Sequence, residues 1–191
     1  MFTTTAKNNA LDGLTITQAS LHSAFPGATG VNELSGGGYA RVAATFSAAT
    51  GGTRSLSAGI NFTVGAGSTV RWAGLWNNAV FIGYAANGGT PKEFIVSVAT
   101  DTVNCLAHGY VDTNKVVFYG DTVPGGLVEG TVYFVRDATV DTFKVAATSG
   151  GAAIDLTSPG GSACAVSSII EETYGAGGTH TVNTWILGLP N

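Results

Sequence analysis

The stretch VNELSGGGYARVAATFSAATGG (residues 31–52) sets five glycines around a run of small and apolar side chains. Two readings compete for Ser35 to Gly38. One makes the glycines a phosphate cradle and the chain a nucleotide-binding protein; the other makes them the hinge between a loop and a strand. A Walker loop needs a Gly-Lys pair followed by Ser or Thr, and the chain contains no Gly-Lys pair. A dinucleotide fingerprint needs G-x-G-x-x-G between a strand and a helix, whereas Gly36 and Gly38 lead to Arg41 and into strand-forming residues. The glycines are therefore read as backbone devices that supply positive φ and close backbone approach ahead of a strand beginning at Tyr39. Gly51-Gly52 is the turn that ends that strand.

Working outward, one helix is expected over residues 3–12. Ala6, Ala10, Leu11 and Leu14 fall at helical spacing, a threonine among Thr3 to Thr5 supplies a cap, and Gly13 is a stop signal. Everything after it reads as β. Strands are expected over 14–23, 39–48, 54–64, 69–76 and 79–86, with Ile60, Phe62 and Val64 on one face and a tight turn at Asn77-Asn78. From about residue 88 the texture changes: NGGTPKEF is a turn-rich joint, and most of the carboxylates lie between Glu93 and Asp155. Short strands over 115–120, 131–138, 142–148 and 152–157 would make a small barrel. The closing IIEETYGAGGTHTVNTWILGL (169–189) then resembles the missing final strands of the first domain. The fold expected is all-β: a jelly-roll-like antiparallel β-sandwich with one short N-terminal helix, formed by 1–87 and 168–191. A small β-barrel module, 88–167, interrupts it, because insertions succeed at exposed loop tips.

Composition narrows the function classes. Only 10% of the 191 residues are charged, and the chain carries 28 glycines and a net charge of −4. So little charge suits short strands, tight turns and a surface partly covered by neighbouring subunits. The eight basic residues are scattered from Lys7 to Lys144, so no direct nucleic-acid partner is expected. No signal peptide and no membrane span are read, so a soluble protein made in a cytosol is expected. Cys105 and Cys164 have no metal spacing and are read as small buried side chains, with pairing geometrically open.

The search for chemistry yields no catalytic, cofactor-binding or metal-binding set. His22, His108 and His180 have no second ligand at metal spacing. Glu171 and Glu172 are adjacent, so on a strand they point to opposite faces and cannot share acid–base work. Asp112, Asp121, Asp137 and Asp141 are read as turn formers, since no calcium-loop pattern occurs. No G-x-S-x-G elbow is present, and Asn61-Phe62-Thr63 is a glycosylation sequon only in a secreted eukaryotic protein. Trp72, Trp76 and Trp185 are read as core and interface anchors. Arg41, a lone charge on a largely apolar stretch, is expected to pair with Glu33 or with a carboxylate on a neighbouring subunit.

ASLHSAFPGATGVNELSGGGYARVAATFSAATGGTRSLSAGINFTV, followed by TVRWAGLW, resembles a widespread set of small tailed-bacteriophage structural proteins. Its elements are a loop over Leu21 to Gly30, the segment Asn32 to Arg41, a strand over Val70 to Trp76, and the ending EETYGAGGTHTVNTWILGL. The middle, from DTVNCLAHGYVDTNKVVFYG to GGAAIDLTS, resembles a second module found on phage tail fibres and appendages, and departs from it at Tyr110 to Asn114. The resemblance implies a non-enzymatic virion protein, a head decoration or tail appendage, assembled in the bacterial host cytoplasm with capsid or tail subunits as partners. It implies a homo-oligomer, with a trimer favoured. The alternative is an adhesin whose inserted module contacts a host-surface glycan through Tyr110 and Tyr133. No cofactor is implied.

Overall fold

In the computed structural model, which describes residues 2–189, the chain opens with helix α1 (Thr4–Asp12). Thr3 caps it, its hydroxyl accepting from the Ala6 N–H at 3.2 Å. The Gly13 N–H closes it on the Asn9 carbonyl. The helix buries Leu11 and Lys7, while Ala6 and Ala10 stay exposed. This packing face departs from the expected one because polar groups orient the helix. Arg54 donates to the carbonyls of Leu11 at 3.0 Å and Leu14 at 2.8 Å, satisfying groups that a helix end leaves open. Asn8 and Asp12 accept from the N–H groups of Gly52 and Ala49. The Lys7 stem then lies against the Gly51-Gly52 turn, where a Cβ on Gly52 would sit 3.3 Å from its Cδ.

Seven strands follow: β1 (Gln18–His22), β2 (Val42–Ala43), β3 (Thr53–Ser55), β4 (Ile60–Val64), β5 (Ser68–Val70), β6 (Trp72–Asn77) and β7 (Val80–Ala86). Four form a sheet in the order β2-β1-β6-β7. Strand β1 runs antiparallel to β6, with Gln18 opposite Trp76 and His22 opposite Trp72. The strand expected over 39–48 shrinks to two residues. Tyr39 and Arg41 are diverted by hydrogen bonds to Glu33 and β1, so they end a loop instead of starting a ladder. The strand expected over 69–76 breaks at Arg71, whose N–H turns to the His22 carbonyl.

The chain divides into two compact units, Met1–Tyr84 with Glu172–Asn191, and Ala85–Glu171. The second holds β8 (Ile95–Ser97), β9 (Thr102–Asn104), β10 (Lys115–Tyr119), β11 (Val132–Arg136), β12 (Thr142–Ala146) and β13 (Ala165–Ser168). They form one antiparallel sheet in the order β13-β10-β11-β12-β9-β8, wrapped on a core that includes Val103, Phe118, Phe143, Val145, Leu156 and Val166. The ladder does not run on into a closed barrel. The two ends of the sheet meet through one bridge, Lys92 to Val166, before the chain turns away into β8. Nor is 152–157 a strand: it bridges β12 once, at Ala153 to Ala146, and then turns to Gly125, which holds the Thr157 N–H.

Three returning strands complete the first unit: β14 (Glu172–Tyr174), β15 (Gly178–Val182) and β16 (Ile186–Gly188). They pair antiparallel with β5, β4 and β3 in turn. The register is continuous: Thr173 faces Thr69, and six residues on, Thr179 faces Thr63, six residues back. It slips by one residue before β16, where Ile186 faces Ser55. Residues 53–70 and 172–188 are thus one interrupted antiparallel ribbon. Ile60, Phe62 and Val64 all face inward on it, as their alternation predicts. At one interruption Gly65-Ala66-Gly67 faces Gly175-Ala176-Gly177, and the Ser35–Gly38 loop seats itself there. A Cβ on Gly37 would lie 2.3 Å from the Gly65 Cα, so two backbones touch where side chains cannot fit.

Gly36 and Gly37 both have positive φ, at 75° and 59°, but only Gly37 has a close neighbour. Gly36→Ala should therefore cost only the left-handed backbone strain, about 1 kcal/mol. Gly37→Ala adds displacement of the ribbon and should cost about 2 kcal/mol more. Urea unfolding of the two variants checks the ranking; equal midpoints would contradict the backbone contact.

Candidate functional site

The segment Asn32 to Arg41 folds back on β1 and β6 through one carboxylate. Arg41 grips Glu33 with two parallel bonds, Nε to Oε1 at 2.9 Å and Nη2 to Oε2 at 2.7 Å. The same guanidinium lies 3.3 Å from the centroid of the Trp76 ring, and its Nη1 donates to the Asn78 carbonyl at 3.3 Å. The Tyr39 hydroxyl accepts from the Leu21 N–H at 2.8 Å and donates to Glu33 Oε1 at 3.2 Å. Burial, with the Glu33 charge beside it, pushes the Tyr39 phenol well above its ordinary value, so it stays a donor. Asn32 starts the loop at φ 62°, its side chain donating to the Phe25 carbonyl at 2.8 Å. The pairing of Arg41 is thus made within the chain.

Beneath this clamp lies a buried polar chain. The Trp76 indole donates to Ser20 Oγ at 2.7 Å, and Ser20 Oγ sits 2.7 Å from His22 Nε2. His22 Nδ1 is 2.8 Å from the Val31 carbonyl, which can only accept, so Nδ1 carries the proton and Nε2 accepts from Ser20. A serine beside an imidazole is the pattern of an activated nucleophile. Here Ser20 and His22 have no exposed surface, and a Cβ on Gly74 would lie 2.5 Å from Ser20 Oγ and 2.6 Å from His22 Nε2. A site packed that tightly has no room for a substrate. The chain fastens β1 to β6 and to the loop.

The other histidines stand apart. His108 accepts from the Tyr110 N–H at 2.9 Å and reaches the Thr142 carbonyl at 3.3 Å. His180 sits 3.1 Å from Glu172 Oε2, and Glu172 Oε1 accepts from the Tyr174 hydroxyl at 2.6 Å. Glu171 pairs instead with Lys115. Asp101, Asp112 and Asp141 hold the backbone N–H groups of Leu156, Ala138 and Ala107. Among the described residues no three His, Cys, Asp or Glu side chains gather as a metal set. Both cysteines are free and buried, and burial pushes the Cys164 thiol up to about 11, the range of an inert thiol. No helix among the described residues is long and apolar enough to cross a membrane.

The aromatic candidates lie inside the chain. Trp72, Trp76 and Trp185 are buried. Tyr110 and Tyr133 retain 8% and 5% exposure and belong to the core of the second unit, where the Tyr133 hydroxyl accepts from the Val128 N–H. Side chains that do face outward were not singled out by sequence, Ile95 at 73% and Leu106 at 79% among them. Nothing in their local pattern distinguishes them from core residues; the edge position of β8 exposes Ile95, and a turn after β9 exposes Leu106. Beside Tyr110 the second unit carries a depression of about 410 Å³, lined by Thr90, Lys92, His108, Tyr110, Asn114 and Ser168 with Gly88 and Gly109.

Burial lowers the pKa of both His22 and His180, in the latter case against the pull of Glu172. Below the ordinary imidazole value of 6.5 the unfolded chain takes up protons that the folded histidines refuse. Stability present above that pH is therefore lost as pH falls toward their lowered folded values. Urea midpoints should be flat from about pH 8 to 7 and decline from about pH 6.5 to 5; a profile flat throughout would contradict it. Arg41→Lys keeps the charge but loses the paired bonds and the stacking on Trp76, and should cost about 1–2 kcal/mol. A midpoint unchanged in Arg41→Lys would show that the clamp carries no stability.

Residues 3–126, well over half of the chain, match the family described as podophage GP4 fiber I protein gp80. The match includes the whole Glu33–Arg41 clamp, β1, β6 and the Gly37–Gly65 contact. No curated protein matches the chain, and no solved structure does. The Glu33–Arg41 clamp and the buried Ser20–His22 hydrogen-bond chain of this mostly antiparallel β protein lie within the matched stretch: the chain belongs to the podophage GP4 fiber I protein gp80 family.

Proposed function

We propose that this protein is a non-enzymatic structural part of a phage tail fibre. It docks on other virion proteins through the unit formed by 1–87 and 168–191 and carries 88–167 outward. Membership of a phage fibre family is the observation that carries this reading. The low charge, 10% of residues, supports a surface largely covered by symmetry-related copies. The side chains with chemical potential support it too: Ser20, His22, Glu33 and Arg41 are engaged in holding strands together. A homo-oligomer, with a trimer favoured, fits a fibre whose subunits cover one another's apolar faces. Head decoration would use the same docking unit at a different place on the particle. A host-glycan adhesin working through Tyr110 and Tyr133 has less support, because both rings are core residues with no open face for a sugar.

Gold-labelled antibody on purified particles should mark the tail, and light scattering of the purified chain should give a mass near three times 19.2 kDa. Label on the capsid shell would place the protein as a head decoration. Particles that lack the protein, together with a stable monomer in solution, would overturn the assembly reading.

A further inference from the structure

The 410 Å³ depression in the second unit has a one-sided chemistry. Lys92 is its only charged lining residue, and no carboxylate lines it, in a chain whose net charge is −4. Lys92 enters it from a well-fixed backbone: its N–H and carbonyl both bond to Val166, at 2.8 and 3.1 Å. Its ammonium reaches the Ala107 carbonyl only at 3.5 Å, which leaves most of its three-donor capacity unspent. Asn114 Oδ1 accepts from the Val111 N–H at 3.0 Å, so the amide is oriented with its NH₂ group left over. The His108 ring is committed on both sides, to the Tyr110 N–H and the Thr142 carbonyl. The Tyr110 hydroxyl, in the wall, is buried and has the Ser168 backbone as its neighbouring hydrogen-bond group.

We propose that this depression binds a carboxylated sugar residue of the hexuronate class. Lys92 pairs with the carboxylate, and the Asn114 NH₂ and the Thr90 hydroxyl donate to it and to ring hydroxyls. One cation with neutral donors and no acid selects an anion, as opposed to a neutral sugar. The volume falls within the range of small-ligand pockets and exceeds what a bare phosphate needs. The buried rings of His108 and Tyr110 contribute walls, without an exposed face for stacking. One partly solvated ion pair and a few hydrogen bonds give weak binding, with a Kd on the order of 1 mM. Such an affinity matters where many copies act together. The proposal concerns the second unit alone and stands whether the protein lies on tail or head.

The test uses the full chain labelled with nitrogen-15, titrated with glucuronate, glucose and inorganic phosphate. Glucuronate should shift the amide resonances of Gly88 and Gly109 and the Asn114 side-chain amide, saturating in the millimolar range. Glucose and phosphate should each bind at least tenfold more weakly. Lys92→Gln should weaken glucuronate binding about tenfold, and Lys92→Arg should restore most of it. Asn114→Asp keeps the oxygen that holds Val111 but replaces the donor with an anion, and should weaken binding at least as much. Thermal midpoints of all variants report their folding; if one fails to fold, the wild-type ligand series and the remaining variants decide. Equal affinity for glucose or for phosphate, shifts confined to other residues, or unchanged binding in the folded Lys92 and Asn114 variants would each overturn the proposal.

Discussion

The Glu33 carboxylate is the constraint on which the signature region depends. It draws two parallel bonds from Arg41 and one from the Tyr39 hydroxyl, and each of those donors is also tied to a strand. Tyr39 holds the Leu21 N–H of β1; Arg41 lies on Trp76 of β6 and bonds Asn78 in the hairpin beyond it. A single half-buried ion pair contributes little when its partners are free to move. This one is bidentate, stacked on an aromatic ring and anchored at both ends, so it fixes a loop that has almost no regular structure. Trp76 serves twice, presenting its face to Arg41 and its indole N–H to Ser20. The clamp and the Ser20–His22 chain therefore strengthen one another through a shared ring.

That fixed loop in turn positions the glycines. Between Glu33 and Arg41 the chain must cross the ribbon made by 53–70 and 172–188, and it crosses where the ladder is interrupted. Gly37 and Gly65 meet backbone to backbone because neither carries a Cβ. The Gly-Ala-Gly triplets on the two sides of the ribbon open the gap, and Gly-Gly-Gly in the loop fills it. Sequence segments more than a hundred residues apart, Gly65 to Gly67 and Gly175 to Gly177, are therefore parts of one local feature.

Much of this was legible in the amino-acid order. Thr3 and Gly13 mark the helix ends, the Ile60-Phe62-Val64 alternation marks an inward face, and Asn77-Asn78 marks a turn, with Asn78 at φ 52°. These are local rules, met by residues whose preferences do not depend on what packs against them. Strand lengths were less legible. Residues 39–48 carry β-forming side chains, yet hydrogen bonds from Tyr39 and Arg41 to Glu33 outbid the ladder there and leave a two-residue strand and one bridge, Phe46 to Leu56. The segment 152–157 likewise makes one bridge and departs toward Gly125. Tyr110 and Tyr133, the surface-recognition candidates, went inward, because a tyrosine's place in the sequence does not say whether its ring meets solvent or the core.

The order of residues is enough for the class: a mostly antiparallel β protein with one capped helix, poor in charge, without a nucleotide loop and with a phage-like signature. Local propensity, turn chemistry and composition suffice for that. Tertiary structure alone decided what the signature residues do. Glu33, Tyr39 and Arg41 could have faced a partner; the fold turns them on β1 and Trp76. Ser20 and His22 could have formed a reactive pair; burial and the close approach of Gly74 make them a fastening. Lys92, unremarked in the sequence, acquires significance from a depression assembled from two separate loops and a strand end. In each case the deciding quantity is distance across the fold, which the order of residues does not contain.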